Sequence, residues 1–128
     1  MFEQCAASLK RLGTDYIDLY QCHRADEASP LIETCRAMND LINQGKTLYW
    51  GVSEWNADQI AEAVAICDDH HWHRPVSDQP LYNMLERHWE ADAFPHSSFC
   101  FCLYRQTTTA CSPGPTRAMF TIPAVVDT

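Results

Sequence analysis

Four polar residues stand where apolar, strand-like runs end. Tyr16 to Cys22 runs into His23, Leu48 to Val52 runs into Ser53 and Glu54, and Pro75 to Asp78 runs into Gln79. An imidazole, a hydroxyl, a carboxylate and a carboxamide are groups that hydrogen-bond ligands, and His and Glu can also move protons. A helical pattern fills each gap between the runs, so the unit reads β-α-β-α-β, and such crossovers join parallel strands. Parallel strands all end on one side. His23, Ser53, Glu54 and Gln79 are therefore expected on one rim, the place where barrels and open α/β sheets bind ligands. Each has a plainer reading beside this one: His23 as a hydrogen-bonded core histidine, Ser53 and Gln79 as strand-end caps.

The elements that would position these groups are well punctuated. The first helix is expected over Phe2 to Leu12, with Cys5, Leu9 and Leu12 at helical spacing and Gly13 as its stop. Alternation along the first strand puts Ile17, Leu19, Gln21 and His23 on one face and Tyr16, Asp18, Tyr20 and Cys22 on the other. Ser29 reads as the N-cap of the second helix with Pro30 at its first position. Leu31, Cys35, Met38 and Ile42 form that helix's apolar stripe and Gly45 closes it. Asn56 and Gln59 form a capping-box pattern for the third helix, whose buried stripe is Ile60, Ala63, Val64 and Cys67. Strand starts near residues 16, 48 and 75 recur about every 30 residues, the length of one βα unit.

At 128 residues the chain is one domain's length, and 46% hydrophobic content suits a folded protein. A net charge of −8 without any basic stripe argues against a nucleic-acid partner. The apolar stretches are too short for a membrane span and Met1-Phe2-Glu3-Gln4 does not open a signal peptide, so a cytoplasmic protein is expected. Seven cysteines are an odd number, and the first four occupy apolar positions, which favours reduced thiols over a disulfide framework. His70, His71 and His73 follow Asp68 and Asp69, yet adjacent histidines on a helix point about 100° apart and no His pair has i,i+4 spacing, so no metal site is expected.

After Glu90 the character changes. Residues 1–90 carry 22 charged residues and residues 91–128 carry four. The later segment, with Phe99-Cys100-Phe101-Cys102, Thr107-Thr108-Thr109 and Ser112-Pro113-Gly114-Pro115, shows no sustained period and is expected to be an irregular or disordered tail.

Ser8-Leu9-Lys10-Arg11-Leu12-Gly13-Thr14-Asp15-Tyr16-Ile17-Asp18-Leu19-Tyr20, ending in His23-Arg24, resembles the fourth-strand signature of the aldo-keto reductases. Gly45-Lys46 with Tyr49-Trp50-Gly51-Val52-Ser53-Glu54-Trp55 resembles that family's fifth strand, and Gln79-Pro80-Leu81-Tyr82-Asn83-Met84-Leu85 its sixth. The wording is most similar to the branch that includes potassium-channel β subunits. The resemblance implies an α/β fold, a partial (β/α)₈ TIM barrel of about three consecutive βα units over residues 1–90, with the divergent tail at 91–128. It implies NADP(H) as cofactor and a small-molecule carbonyl as substrate. In the family, hydride passes from the nicotinamide to the carbonyl carbon and a Tyr acid supplies the proton, tuned by a Lys and an Asp. By position, His23 matches the catalytic-site His that orients the carbonyl, and Ser53 and Gln79 match groups that hydrogen-bond the nicotinamide carboxamide. Glu54 stands where many relatives have Asn or Arg, and a cofactor contact is expected from it too. The Tyr, Lys and Asp belong to the family's first three strands, before the motifs seen here.

A complete barrel needs about 250 residues. The chain therefore reads as a central fragment that is not catalytically competent alone, or as a non-catalytic, β-subunit-like interaction product. Three parallel strands would leave two unpaired edges and an unopposed inner face of Leu19, Gln21, Tyr49, Gly51 and Ser77. A partly molten state, self-association through those edges or a need for a complementary fragment is the expected consequence, and a compact monomer on size-exclusion chromatography with sharp unfolding would contradict it.

Overall fold

The computed structural model describes residues 1–26, 28–81, 85, 87–91, 100–101 and 120–122. Three helices alternate with strands: α1 (Phe2–Leu12), β1 (Ile17–Cys22), α2 (Leu31–Asn43), β2 (Thr47–Val52), α3 (Ala57–Asp69) and β3 (Ser77–Asp78). A short 3₁₀ turn (His88–Glu90), β4 (Cys100–Phe101) and β5 (Phe120–Ile122) follow. The sheet order is β4-β3-β2-β1-β5, and every pairing in it is parallel. The α/β expectation holds in its three central βα units.

Local chemistry accounts for the boundaries. Gly13 ends α1 at φ 67°, in the left-handed region, and its amide donates to the Leu9 carbonyl. Gly45 takes φ +69° just after the second helix. At α3 both capping-box bonds form: the Gln59 amide donates to Asn56 Oδ1 at 2.8 Å and the Asn56 amide to Gln59 Oε1 at 3.1 Å. The second helix differs from expectation. Its N-cap is Pro30, and the Ser29 hydroxyl donates instead to Asp26 Oδ2 at 2.7 Å, while Asp26 Oδ1 accepts from the Ala28 amide. Asp26 forms an Asx turn and takes the hydroxyl before the helix can.

The core lies between the sheet and the helices. Trp50, Trp55, Met38, Leu41 and Val52 are its largest fully buried side chains, joined by Cys5, Cys22, Cys35, Cys67, Ile60 and Ala63. Each large apolar side chain contributes about 1.5–3 kcal/mol through burial. Trp50 also fastens the α3–β3 connection: its indole N–H donates to the His73 carbonyl at 2.7 Å, and the His73 amide donates to Asn39 Oδ1 at 3.3 Å.

Two expectations change at the sheet's margins. The third strand is shorter than residues 75–78; its ladder covers only Gly51↔Ser77 and Val52↔Asp78. The tail expected to be irregular supplies two short strands. β4 pairs with β3 in the register Ser77↔Cys100 and Asp78↔Phe101, and β5 pairs with Tyr20 to Cys22 of β1. Over those rows neither edge of the three-strand unit is unpaired. Both segments are short, apolar or β-branched runs without charge, the composition that a sheet edge accepts. The rest of the tail, including Cys102 and Cys111, lies outside the described residues, as do Tyr82, Asn83 and Met84 of the third motif.

Candidate functional site

The last fully paired row across the three central strands is Cys22↔Val52↔Asp78. His23, Ser53 and Gln79 are each the next residue along their strands, so the three sequence-predicted groups leave the sheet together as one row. With strands about 4.8 Å apart, His23 and Gln79 flank Ser53 across roughly 10 Å. Ser53 and Gln79 are in direct contact. The Ser53 hydroxyl donates to the Gln79 carbonyl at 2.9 Å, and the Gln79 amide donates to the Val52 carbonyl at 2.9 Å. Ser53 is buried and His23 half-buried, and neither ring nitrogen of His23 meets a partner among the described residues.

One row below, on the same face by alternation, stand Gln21, Gly51 and Ser77. Gln21 Nε2 donates to Ser77 Oγ at 2.9 Å, reaching across the strand between them. It passes directly over Gly51. A Cβ built on Gly51 would collide with Gln21 Oε1 and Ser77 Oγ and lie 2.7 Å from the Ser77 carbonyl oxygen. Gln21 is 3% exposed, and its Oε1 is buried without a hydrogen bond. The sequence placed Gln21, Gly51 and Ser77 on the inner face but did not reveal this bond across Gly51, although a glycine inside a strand pattern is a signal of close approach.

Glu54 sits just outside the row. Its backbone takes φ 53°, a left-handed conformation that costs a non-glycine residue about 1–2 kcal/mol. Its carboxylate pairs with the guanidinium of Arg24, the residue after His23. The turn thus points the Glu54 charge at the neighbouring strand end.

Asp78 is the residue that sequence reasoning passed over. Alternation turns it to the helix side with Cys22 and Val52, and it is fully buried. Neither carboxylate oxygen makes a full hydrogen bond. Burial pushes its pKa up from 3.8 to about 6; the nearby amides of Gln79 and Glu54 pull the other way, and the Glu54 charge adds to the rise. An acid at a core position of the strand pattern was the available signal.

Tyr20 cannot stand in for a rim acid. It lies on the opposite face from His23, is buried beside Cys5 and Cys22, and burial holds its hydroxyl well above the usual tyrosine range. Among the described residues no three His, Cys, Asp or Glu side chains gather as a metal-holding group, and no helix is long and apolar enough to cross a membrane.

Consecutive βα units with parallel strands and polar groups at their carboxyl ends are consistent with part of a (β/α) barrel. The sequence profile of the Aldo/keto reductase family matches residues 1–98, and the chain belongs to that family. It is 50% identical over 86 residues to a probable voltage-gated potassium channel subunit beta of Arabidopsis thaliana, covering 67% of this chain and 26% of that protein. A rice protein of the same description is 46% identical over 86 residues. A putative voltage-gated potassium channel subunit beta of Schizosaccharomyces pombe is 46% identical over 96 residues, covering 74% of this chain and 28% of that protein. The chain spans about a quarter of the length of these relatives.

Proposed function

We propose that this chain carries the nicotinamide-side rim of an NADP(H)-dependent aldo-keto reductase and contributes binding and orientation rather than proton donation. The observation that carries the reading is the shared row of His23, Ser53 and Gln79. A nicotinamide carboxamide needs an acceptor for its N–H₂ and a donor for its carbonyl. The lone pairs left on Ser53 Oγ and the carboxamide of Gln79 have that chemistry, and the buried Gln21 Oε1 one row below is a further acceptor. The residues present fit the group.

When bound, the cofactor supplies hydride to an aldehyde or ketone carbon. His23, at the row's end, orients the carbonyl by hydrogen bonding to its oxygen. Glu54 and Arg24, paired beside His23, close that side of the rim. The tyrosine acid of the family scheme, worth roughly 10²–10⁴-fold, belongs to earlier strands than those matched here, so complete turnover draws on residues beyond the three motifs. A cytoplasmic setting suits the free thiols of the core.

Two or three rim hydrogen bonds at about 1 kcal/mol each give weak affinity, in the millimolar range or weaker. The test is a titration of the chain and of its Ser53→Ala/Gln79→Leu double variant with NADPH carried to tens of millimolar and read by backbone amide NMR. Saturable binding lost in the variant supports the reading; binding that the variant leaves unchanged, or none in the unaltered chain, overturns it. The names of the relatives favour a second reading, in which the outer surface of α1–α3 docks a partner without catalysis. NADPH-dependent carbonyl reduction, assayed with a polypeptide carrying the family's first three strands added in trans, separates the two.

A further inference from the structure

Stability alone does not explain the Gln21–Ser77 bond beneath the rim. Gln21 is buried, and only half of its carboxamide is satisfied: Nε2 donates to Ser77 Oγ at 2.9 Å, while Oε1 has no hydrogen bond. A buried acceptor without a partner carries a desolvation penalty, which offsets much of what the single bond contributes. An apolar side chain of similar volume, such as Met, would fill the same space without that penalty. Side chains that depart from the packing rules in this way are expected at functional or strained positions.

What the bond fixes is the place of β3. That strand is two residues long, and its ladder to β2 covers only Gly51↔Ser77 and Val52↔Asp78. β1 and β2 each run for six residues and pair from Ile17↔Thr47 to Cys22↔Val52. β1 is firmly anchored and β3 is not. Gln21 carries the anchorage across β2: its side chain and Ser77 together bridge two strand spacings, roughly 10 Å. Gly51, in register with both ends, leaves the path open. Gln21 stands two residues before His23 on β1, and Ser77 two residues before Gln79 on β3, each on the same face as its successor. The clasp therefore underlies the His23–Ser53–Gln79 row and ties its two ends from one rung below.

We propose that Ser77 is a positioning residue of the rim, acting through Gln21. Their clasp sets the distance between His23 and Gln79, and so the distance between a carbonyl oxygen held at one end of the row and a carboxamide held at the other. This rests on the nicotinamide reading of the row. Reaction needs the two carbons that exchange hydride about 3–3.5 Å apart and aligned, and a misplacement of about 1 Å can cost roughly 10²-fold. The Ser77 hydroxyl touches no ligand in this scheme; it holds the strand that does.

The experiment records backbone amide NMR spectra of the full chain and of Ser77→Ala, Gln21→Met and a control, Thr47→Val. Thr47 makes a hydroxyl bond of the same kind, to the Tyr49 carbonyl at 2.8 Å, at the opposite end of β2. A merely structural clasp would lower stability in its variants as the control does and leave the rim alike in all three. Positioning predicts more. Without ligand, Ser77→Ala on β3 should shift the His23 amide two strands away, and Gln21→Met on β1 should shift the Gln79 amide; Thr47→Val should shift neither. With nicotinamide mononucleotide carried to tens of millimolar, Ser77→Ala should bind about five- to tenfold more weakly, the equivalent of one lost hydrogen bond. Thr47→Val should bind as the unaltered chain does. His23 and Gln79 amides that stay in place in the clasp variants, or a Ser77→Ala affinity equal to that of Thr47→Val, overturn the proposal. An unaltered chain without saturable binding removes the nicotinamide reading instead, and the ligand-free shifts then decide the clasp on their own. The two clasp variants break one bond from opposite ends, so either decides the ligand-free arm if the other does not fold.

Discussion

Gln21 on β1 and Ser77 on β3 are hydrogen-bonded at 2.9 Å although β2 lies between their strands. The bond exists because Gly51, which pairs in register with both, has no side chain to obstruct it. One glycine thus lets the two outer strands of the unit be fastened to each other directly beneath the His23–Ser53–Gln79 row. Gly51→Ala places a methyl group where the Gln21 carboxamide and Ser77 hydroxyl now sit. Overpacking costs about 1–3 kcal/mol and the displaced buried hydrogen bond about 1 kcal/mol more. Urea unfolding should show the midpoint fall accordingly; an unchanged midpoint would mean that the three strands are not packed in this register.

Ser53→Ala removes the 2.9 Å bond to the Gln79 carbonyl. The expected loss is about 0.5–1.5 kcal/mol of stability. NADPH binding should weaken along with it, because the same oxygen is the proposed carboxamide acceptor. Paired denaturation and titration of the variant check both, and loss of stability with cofactor binding intact would remove Ser53 from the site.

Asp78 makes stability depend on pH in an unusual sense for a carboxylate. Its pKa rises from 3.8 to about 6 in the folded chain. Between those values the folded state keeps a proton that the unfolded chain releases, so stability falls as pH rises from about 4 to 6 and is level above. The full effect is about 3 kcal/mol. The difference in unfolding free energy between the unaltered chain and Asp78→Asn, measured by denaturation from pH 4 to 7, should trace that fall. Parallel curves would show that burial leaves Asp78 unperturbed.

Asn56→Ala deletes the side chain that accepts from the Gln59 amide at 2.8 Å at the start of α3. Loss of a helix cap costs about 1 kcal/mol, read as a lower thermal midpoint. Ser29→Ala should cost less, since that hydroxyl bonds to exposed Asp26 and caps no helix.

The contrast between Asn56 and Ser29 shows what a sequence displays of its fold. Asn56 and Gln59 are each other's nearest competitors for the helix-end groups, and their spacing alone determines the box. Ser29 has the same credentials, but Asp26 three residues earlier takes its hydroxyl, and that competition depends on loop geometry. The glycine stops at Gly13 and Gly45, the rim positions of His23, Ser53 and Gln79 and most of the helix stripes follow from local periodicity and were legible; in α3 Ile60, Ala63 and Cys67 are buried as expected, but Ile66 and not Val64 packs against the core. The Gln21–Ser77 bond, the burial of Asp78 and the left-handed backbone of Glu54 arise from cross-strand register, which no single segment encodes. The edge strands Cys100–Phe101 and Phe120–Ile122 are too short to show a period, so only their pairing with β3 and β1 reveals them.

The central claim is that His23, Ser53 and Gln79 act as one row that receives the nicotinamide end of NADP(H). Backbone amide NMR during titration with NADPH, and separately with nicotinamide mononucleotide, tests it most directly. The account predicts that the amides of His23, Ser53, Glu54 and Gln79 shift together with both ligands, along a single binding curve. Shifts confined to the opposite end of the strands, near Thr47 and Arg74, or no saturable shift in the row at all, would contradict it.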